Sequence, residues 1–397
     1  MTKSFKYRLY PSKSKKRLLN NTLRICRELY NETLENKNVL YEQLEEPLGL
    51  SEANRMLTQS KLVNEERSQV HSQVLQNTQK RVFLAFDNFF RRVKAGEEEP
   101  GFPRFKSEYR YKSFCYKQNN GACFKIIDDK WLYLSKIGNV KINLHRPIEG
   151  VIKSCTIKRE ALGKWYAIFV VETEPHLLEP TDEEVAIDLG LKTFAFLSNE
   201  ETIENPMFFK DSQDKLEKID KKIKSLPKGS KERAKAKRVE DHINEKINNK
   251  RDNFLHQESR KLVNRYQSIF MEDLNIIEMM EVKEQKENMN EAEFIAWMKE
   301  RWIQKKRNNN IKDVSWRQFI NLINYKAEEA GRIFKLVDPR NTSKTCSGCG
   351  NIKKDLTTKV RTYKCSECGL TLDRDHNASL NILRLGLESV SSLPSGG

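Results

Sequence analysis

Apolar and basic residues alternate through Phe5-Lys6-Tyr7-Arg8-Leu9-Tyr10 and stop at Pro11, which predicts a strand. From Lys13 to about Lys94 the period changes to that of a helix. Leu18, Thr22, Ile25, Leu29 and Thr33 fall on one face, and Pro47 with Gly49 divides the stretch into two or more helices. At Gly96 the pattern shifts again. Pro100-Gly101-Phe102-Pro103 breaks the helix, and residues up to about Glu174 are richer in β-branched and aromatic types. The clearest hairpin pairs 151–158 with 164–172 across Ala161-Leu162-Gly163. This block reads as a small barrel or sheet with a helical insert before it.

Pro175 to Glu184 forms an acidic linker. Val185-Ala186-Ile187 then reads as an apolar strand that stops at Asp188, followed by a turn at Gly190 and a second strand at Thr193–Leu197. Asp211 to about Asn264 is charged and helical, with a break at Pro227-Lys228-Gly229-Ser230, and Ser268–Met271 is a short strand ending at Glu272. Residues 276–310 are polar and charged and yield no assignment. Asp313–Ala330 reads as an amphipathic helix with Trp316, Ile320, Ile323 and Ala327 on one face, and Arg332–Val337 as a strand.

At 397 residues the chain is long enough for two to four structural units. No run approaches the ~18 apolar residues of a membrane span. The basic start lacks the apolar core of a secretory signal, so a cytoplasmic protein with no membrane partner is expected. The net charge is +16, which suits a polyanionic partner, although lysine-rich solubility alone would give the same sign.

Four of the eight cysteines, Cys26, Cys115, Cys123 and Cys155, are scattered and read as buried thiols. The others form Cys346-Ser-Gly-Cys349 and, fifteen residues on, Cys365-Ser-Glu-Cys368. Two such pairs, each followed by glycine (Gly350 and Gly369), have the spacing of a structural zinc ribbon. A redox pair is the alternative, and the matched duplicate disfavours it. Four protein ligands close the coordination, so this zinc would organise the fold and not catalyse.

Three carboxylates stand where elements end or begin: Asp188, Glu272 and Asp375, the last in Asp373-Arg374-Asp375-His376-Asn377. Phosphodiester hydrolysis by two Mg²⁺ ions needs acidic oxygens around metals roughly 3.5–4 Å apart, and Mg²⁺ favours such ligands. Taken singly, each residue also reads as a turn former, a surface acid or a helix cap. A third pattern, residues 102–117, interleaves Arg104, Lys106, Arg110, Lys112 and Lys117 with six aromatics. It suits phosphate contact plus base stacking, and equally a strand with one solvated and one buried face.

At these residues the sequence resembles the TnpB family, transposon-associated ancestors of miniature type V CRISPR effectors. The stretches that carry the resemblance are FKYRLYPSK, GFPRFK, AIDLGLKTFAF and FMEDLN, then DVSWRQFINLINYKAEEAGRIFKLVDPRNTSKTCSGCG and YKCSECGLTLDRDHNASLNI. The resemblance implies an α/β fold: an RNase H-like RuvC nuclease domain with an inserted zinc ribbon, preceded by a wedge-like β-barrel interrupted by a helical recognition lobe. The implied boundaries are 1–12 and 96–180 for the barrel, 13–95 for the lobe, 181–345 and 370–390 for RuvC, 346–369 for the ribbon, and 391–397 as a disordered tail. It further implies a structured guide RNA, a short DNA motif beside the target, and cleavage of double-stranded DNA at one Mg²⁺ site held by Asp188, Glu272 and Asp375. Asp375 is preferred to Asp373 because the family's ligand stands two residues before Asn-Ala. Residues 276–310 depart from the family in length and charge, at the place where it keeps a lid.

The alternatives are a guide-directed DNA-binding repressor, which the presence of all three carboxylates disfavours, and an RNA-independent RuvC-type transposase or resolvase. A small CRISPR-associated effector would share the chemistry.

Overall fold

Burial alternates along β1 (Thr2–Tyr10), with Tyr7 and Leu9 inside, as the apolar–basic alternation requires. The computed structural model describes residues 1–44, 47–117, 121–282, 289–357 and 360–391. It divides into two units, Met1–Glu174 and Pro175–Gly397.

In the first unit β1 leads into α1 (Lys13–Leu44), α2 (Leu50–Val63), α3 (Glu65–Ser68) and α4 (Ser72–Lys94), and then into β2 (Ser113–Tyr116), β3 (Phe124–Ile127), β4 (Trp131–Leu134), β5 (Gly138–Asn143), β6 (Val151–Arg159) and β7 (Trp165–Glu172). The strands form one antiparallel sheet in the order β2-β6-β7-β1-β5-β4-β3. Its two edges approach each other: Tyr116 on β2 packs on Phe124 of β3 at 6.3 Å, and its hydroxyl donates to the Ser135 carbonyl at 2.9 Å. The sheet is therefore a nearly closed barrel around Tyr7, Phe114, Phe124, Trp165 and Phe169. The β6–β7 hairpin forms as expected, with Leu162 and Gly163 both left-handed at its turn. One position on α1 differs from expectation. Leu18 is exposed and Leu19 takes the buried place, because the buried face of α1 passes through Leu19, Leu23 and Cys26.

The second unit contains β8 (Glu184–Leu189), β9 (Thr193–Leu197), β10 (Thr202–Glu204), α5 (Gln213–Ser225), α6 (Lys231–Arg265), β11 (Ser268–Glu272), α7 (Ile276–Met279), α8 (Glu291–Val314), α9 (Trp316–Ala330), β12 (Ile333–Val337), β13 (Thr362–Lys364), β14 (Thr371–Asp373) and α10 (Arg374–Ser391). Five strands form a sheet in the order β10-β9-β8-β11-β12. The first three make an antiparallel meander, and β11 pairs in parallel with both β8 and β12. Strands covered on both faces read as continuous apolar runs: Val185-Ala186-Ile187 and Ile269-Phe270-Met271 are fully buried. Leu255 and Val263 of α6 and Phe319 and Ile323 of α9 cover one face. Ile382 of α10 covers the other, against Ala186 and Phe270.

The helix expected over 313–330 is two elements. Ser315 is left-handed (φ 54°) and ends α8, so α9 begins at Trp316. Asp313 belongs to α8, where its carboxylate accepts from Arg251 at 2.6 Å and from the Phe209 amide at 3.1 Å. The unassigned stretch 276–310 holds α7 and most of α8, which starts on a capping box of Asn290 and Glu293. Residues 283–288 of that stretch and 392–397 of the expected tail lie outside the described residues. No helix among the described residues is long and apolar enough to cross a membrane.

Gly386 marks the closest approach of α10 to the sheet, because a Cβ there would run into the buried Phe270 ring. Gly386→Ala should lower the melting temperature, at a cost of about 1–3 kcal/mol for overpacking a filled core. Thermal unfolding followed by circular dichroism checks this.

Candidate active site

The parallel register of β8 and β11 sets Ile187 opposite Met271. The next residue on each strand is a carboxylate, Asp188 and Glu272. Both are half-buried, each just beyond a fully buried run. An ionised group cannot be covered on both faces without a partner, so it stands where the strand leaves the core. On β9, Phe196 pairs with Asp188, and His376 of α10 stacks on Phe196 at 5.7 Å. That contact brings the first turn of α10, with Asp375, over the end of β8.

Asp188 lies close enough to Glu272 and Asp375 to feel their charges. Burial pushes the Asp188 carboxyl well above its ordinary range, and the charges of Glu272 and Asp375 push in the same direction. Glu272 is also raised by burial, against the pull of the Thr342 hydroxyl, which donates to it. Asp375 accepts from Arg374 at 2.9 Å and Arg361 at 3.1 Å. Asp373 is otherwise engaged. As the N-cap of α10 it accepts from the amides of Asp375 at 2.8 Å and His376 at 3.3 Å. The structure therefore brings Asp188, Glu272 and Asp375 together and gives Asp373 a capping role.

A carboxyl raised by burial and by two neighbouring acids stands in an all-oxygen donor set, which fits a hard divalent cation such as Mg²⁺. Among the described residues only the four cysteines bring three or more ligand atoms within 4.8 Å of one another.

Sequence reading missed the residues that hold this arrangement. Asn377 and Asn381, both buried on α10, donate to the carbonyls of Thr345 at 2.7 Å and Thr342 at 2.9 Å. Asn377 also accepts from the Ser347 amide at 2.9 Å. These bonds fix the loop that carries Thr342, and Thr342 holds Glu272. The available signal was two amides four residues apart on the apolar side of a helix, a spacing that marks one face.

The four ribbon cysteines converge. The sulfurs of Cys346 and Cys368, and of Cys349 and Cys365, are each 3.6 Å apart. A disulfide would need about 2.0 Å, whereas thiolates at ~2.3 Å from zinc in a tetrahedron lie about 3.7 Å apart. Gly350 and Gly369 have φ of +78° and +75°, which lets the chain turn behind each pair. The amides of Cys368 and Glu367 are directed at the Cys365 sulfur and lower its thiol pKa, which favours the thiolate form that ligates a metal. Cys26, Cys115, Cys123 and Cys155 are buried apart from this centre.

The basic–aromatic stretch of the first unit divides. Phe102, Phe105 and Tyr109 are exposed, while Tyr111, Phe114 and Tyr116 belong to the core. Arg104, Arg110, Lys112 and Lys117 are exposed. Lys106 is half-buried, with its ammonium over the Tyr30 ring at 5.8 Å.

The family described as "Cas12f1-like, TNB domain" matches residues 316–382, the OrfB_IS605 family of "Probable transposase" matches 168–283, and its helix-turn-helix domain matches 1–46. A "Putative RNA-guided DNA endonuclease" of Streptomyces pristinaespiralis is 27% identical over 97% of this chain and 89% of its own. "TnpB-like protein L79" of Acanthamoeba polyphaga mimivirus is 23% identical over 97% and 73%. The Cas12f1 chain of a Cas12f1–sgRNA–target DNA complex shares the fold, with a TM-score of 0.57 at 15% identity over 96% of this chain and 98% of that one. The fold is thus the one seen in that Cas12f1 chain. Along most of its length the chain is similar to TnpB-like proteins, and separate stretches match the OrfB_IS605 transposase and Cas12f1-like families.

The purified protein should carry one zinc per chain by atomic absorption. Cys365→Ser should lose it and lower the melting temperature; retention of a full equivalent would contradict a four-sulfur site.

Proposed function

We propose that this protein is an RNA-guided DNA endonuclease that cuts double-stranded DNA in one RuvC-type site. The observation that carries the reading is the convergence of Asp188, Glu272 and Asp375 at the ends of β8 and β11 and the start of α10. A meander of three antiparallel strands extended by two parallel ones, with helices on both faces, supports an RNase H-like core. The matched relatives support guidance by RNA and action on DNA.

Asp188, Glu272 and Asp375 would hold two Mg²⁺ ions, which when bound supply Lewis-acid activation of the scissile phosphate and of the attacking water. The chain's own part is positional. The parallel strands fix Asp188 against Glu272, Thr342 orients Glu272, and the ribbon hairpin delivers Asp375. Zinc in the four-cysteine centre would stay structural. Sequence specificity would lie in base pairing between guide RNA and target strand, while the protein reads duplex shape and a short flanking motif. Exposed Arg104, Arg110, Lys112 and Lys117, with Lys106 beside them, would contact phosphates. All three carboxylates are in place, which favours a nuclease over a DNA-binding repressor.

Asp188→Ala should reduce guided cleavage of a linear duplex below detection while binding of guide and target, measured by gel shift, persists. Retained cutting would refute the assignment. Because Asp188 and Glu272 titrate above the usual carboxylate range, cleavage should fall on acidification at a pH higher than ordinary carboxylates would give. Thr342→Val removes the hydrogen bond that lowers the Glu272 pKa, so the acid limb of its pH–rate profile should move further up.

A further inference from the structure

The C-terminal third of α8 is anchored and the rest projects. Asn308, Ile311 and Val314 are buried; the Asn308 amide donates to the Met280 carbonyl at 2.6 Å, and Gln304 donates to Met279 at 3.0 Å. Towards its N-terminus, Phe294, Ile295, Met298 and Trp302 line one exposed face at helical spacing, and Trp302 is 64% exposed. Such an apolar face on a soluble unit marks an interaction site.

The charges around this face identify its occupant. Lys299, Arg301, Lys305 and Lys306 are all exposed on the same helix. The Arg301 guanidinium lies over the Trp297 ring at 5.0 Å, and the Lys306 ammonium over the Trp302 ring at 5.5 Å. Phe294 stacks on Trp297 at 5.8 Å. A helix–helix seam would keep cations off its apolar stripe. Aromatic faces with a cation beside each are instead the chemistry of single-stranded nucleic acid, whose bases stack while the phosphates meet the charges. The root of the arm selects the strand. α7, whose end receives the α8 hydrogen bonds, starts four residues after Glu272, so α8 is rooted beside the carboxylate cluster.

We propose that α8 is a binding arm for single-stranded DNA, stacking bases on Trp302 and Trp297 and holding phosphates with Arg301, Lys305 and Lys306 as the strand passes the carboxylate site. The choice of DNA rests on the endonuclease reading; the stacking chemistry does not.

The test is equilibrium binding of fluorescein-labelled oligothymidylate to the full-length, zinc-loaded protein without guide, followed by anisotropy. Replacing Trp297 and Trp302 together with alanine should weaken binding about tenfold or more, as loss of one or two stacked bases does. Lys305→Ala with Lys306→Ala should flatten the salt dependence of the affinity. These surface replacements also keep the question answerable if the tryptophan variant fails to fold. Unchanged affinity and salt slope in both variants would overturn the proposal. A larger loss on oligouridylate than on oligothymidylate would overturn the assignment to DNA. Unchanged affinity with loss of a sedimenting dimer would reassign the face to contact between copies. The assay involves no cleavage, so failure of the arm and failure of the endonuclease reading are separately visible.

Discussion

The candidate site depends on one constraint: β8 and β11 are adjacent parallel strands covered on both faces. Neither can carry a charge until it emerges, and in parallel strands both emerge at the same end. Asp188 and Glu272 are consequently forced together, although 84 residues separate them in sequence (272 − 188). Burial raises both pKa values, and the charge of Glu272 adds to the rise at Asp188, a cost of the kind met where carboxylates are poised for function.

The third acid arrives by another route, and the ribbon supplies it. β14 ends at Asp373, which caps α10 directly, and the Arg374 amide donates to the Arg361 carbonyl at 2.7 Å across the ribbon hairpin. The loop before Cys346 is tied to α10 by Asn377 and Asn381 and to Glu272 by Thr342. A metal bound by the four sulfurs would therefore stiffen the two segments that place Asp375 and orient Glu272. A closed tetrahedral centre can act on the reaction only through such mechanical coupling.

Much of this was readable from residue order because the signals were local. Paired C-x2-C motifs encode a ribbon by spacing, and apolar runs that stop at a carboxylate encode the ends of buried strands. What escaped was tertiary or lacked a periodic cause. Arg361 meets Asp375 only because a hairpin folds back, and Thr342 meets Glu272 across 70 residues. α8 gave no periodic signal because apolar and charged side chains share its exposed surface over most of its length. The break at Ser315 was invisible for a different reason. A left-handed serine with helix on both sides leaves the apolar spacing almost intact, so Asp313 looked like the first turn of a helix whose partner was in fact Arg251.

The three acids are not equivalent in freedom. Asp188 and Glu272 are set by strand register and cannot move without the sheet. Asp375 sits on the first turn of a helix with its charge already matched by Arg374 and by the exposed Arg361. The pair with Arg361 is open to solvent and contributes only ~0–1 kcal/mol, whereas the largely covered Arg374 holds Asp375 more firmly. The arginines thus keep a cluster of acids tolerable in the folded protein, and the exposed Arg361 adds positive charge beside it.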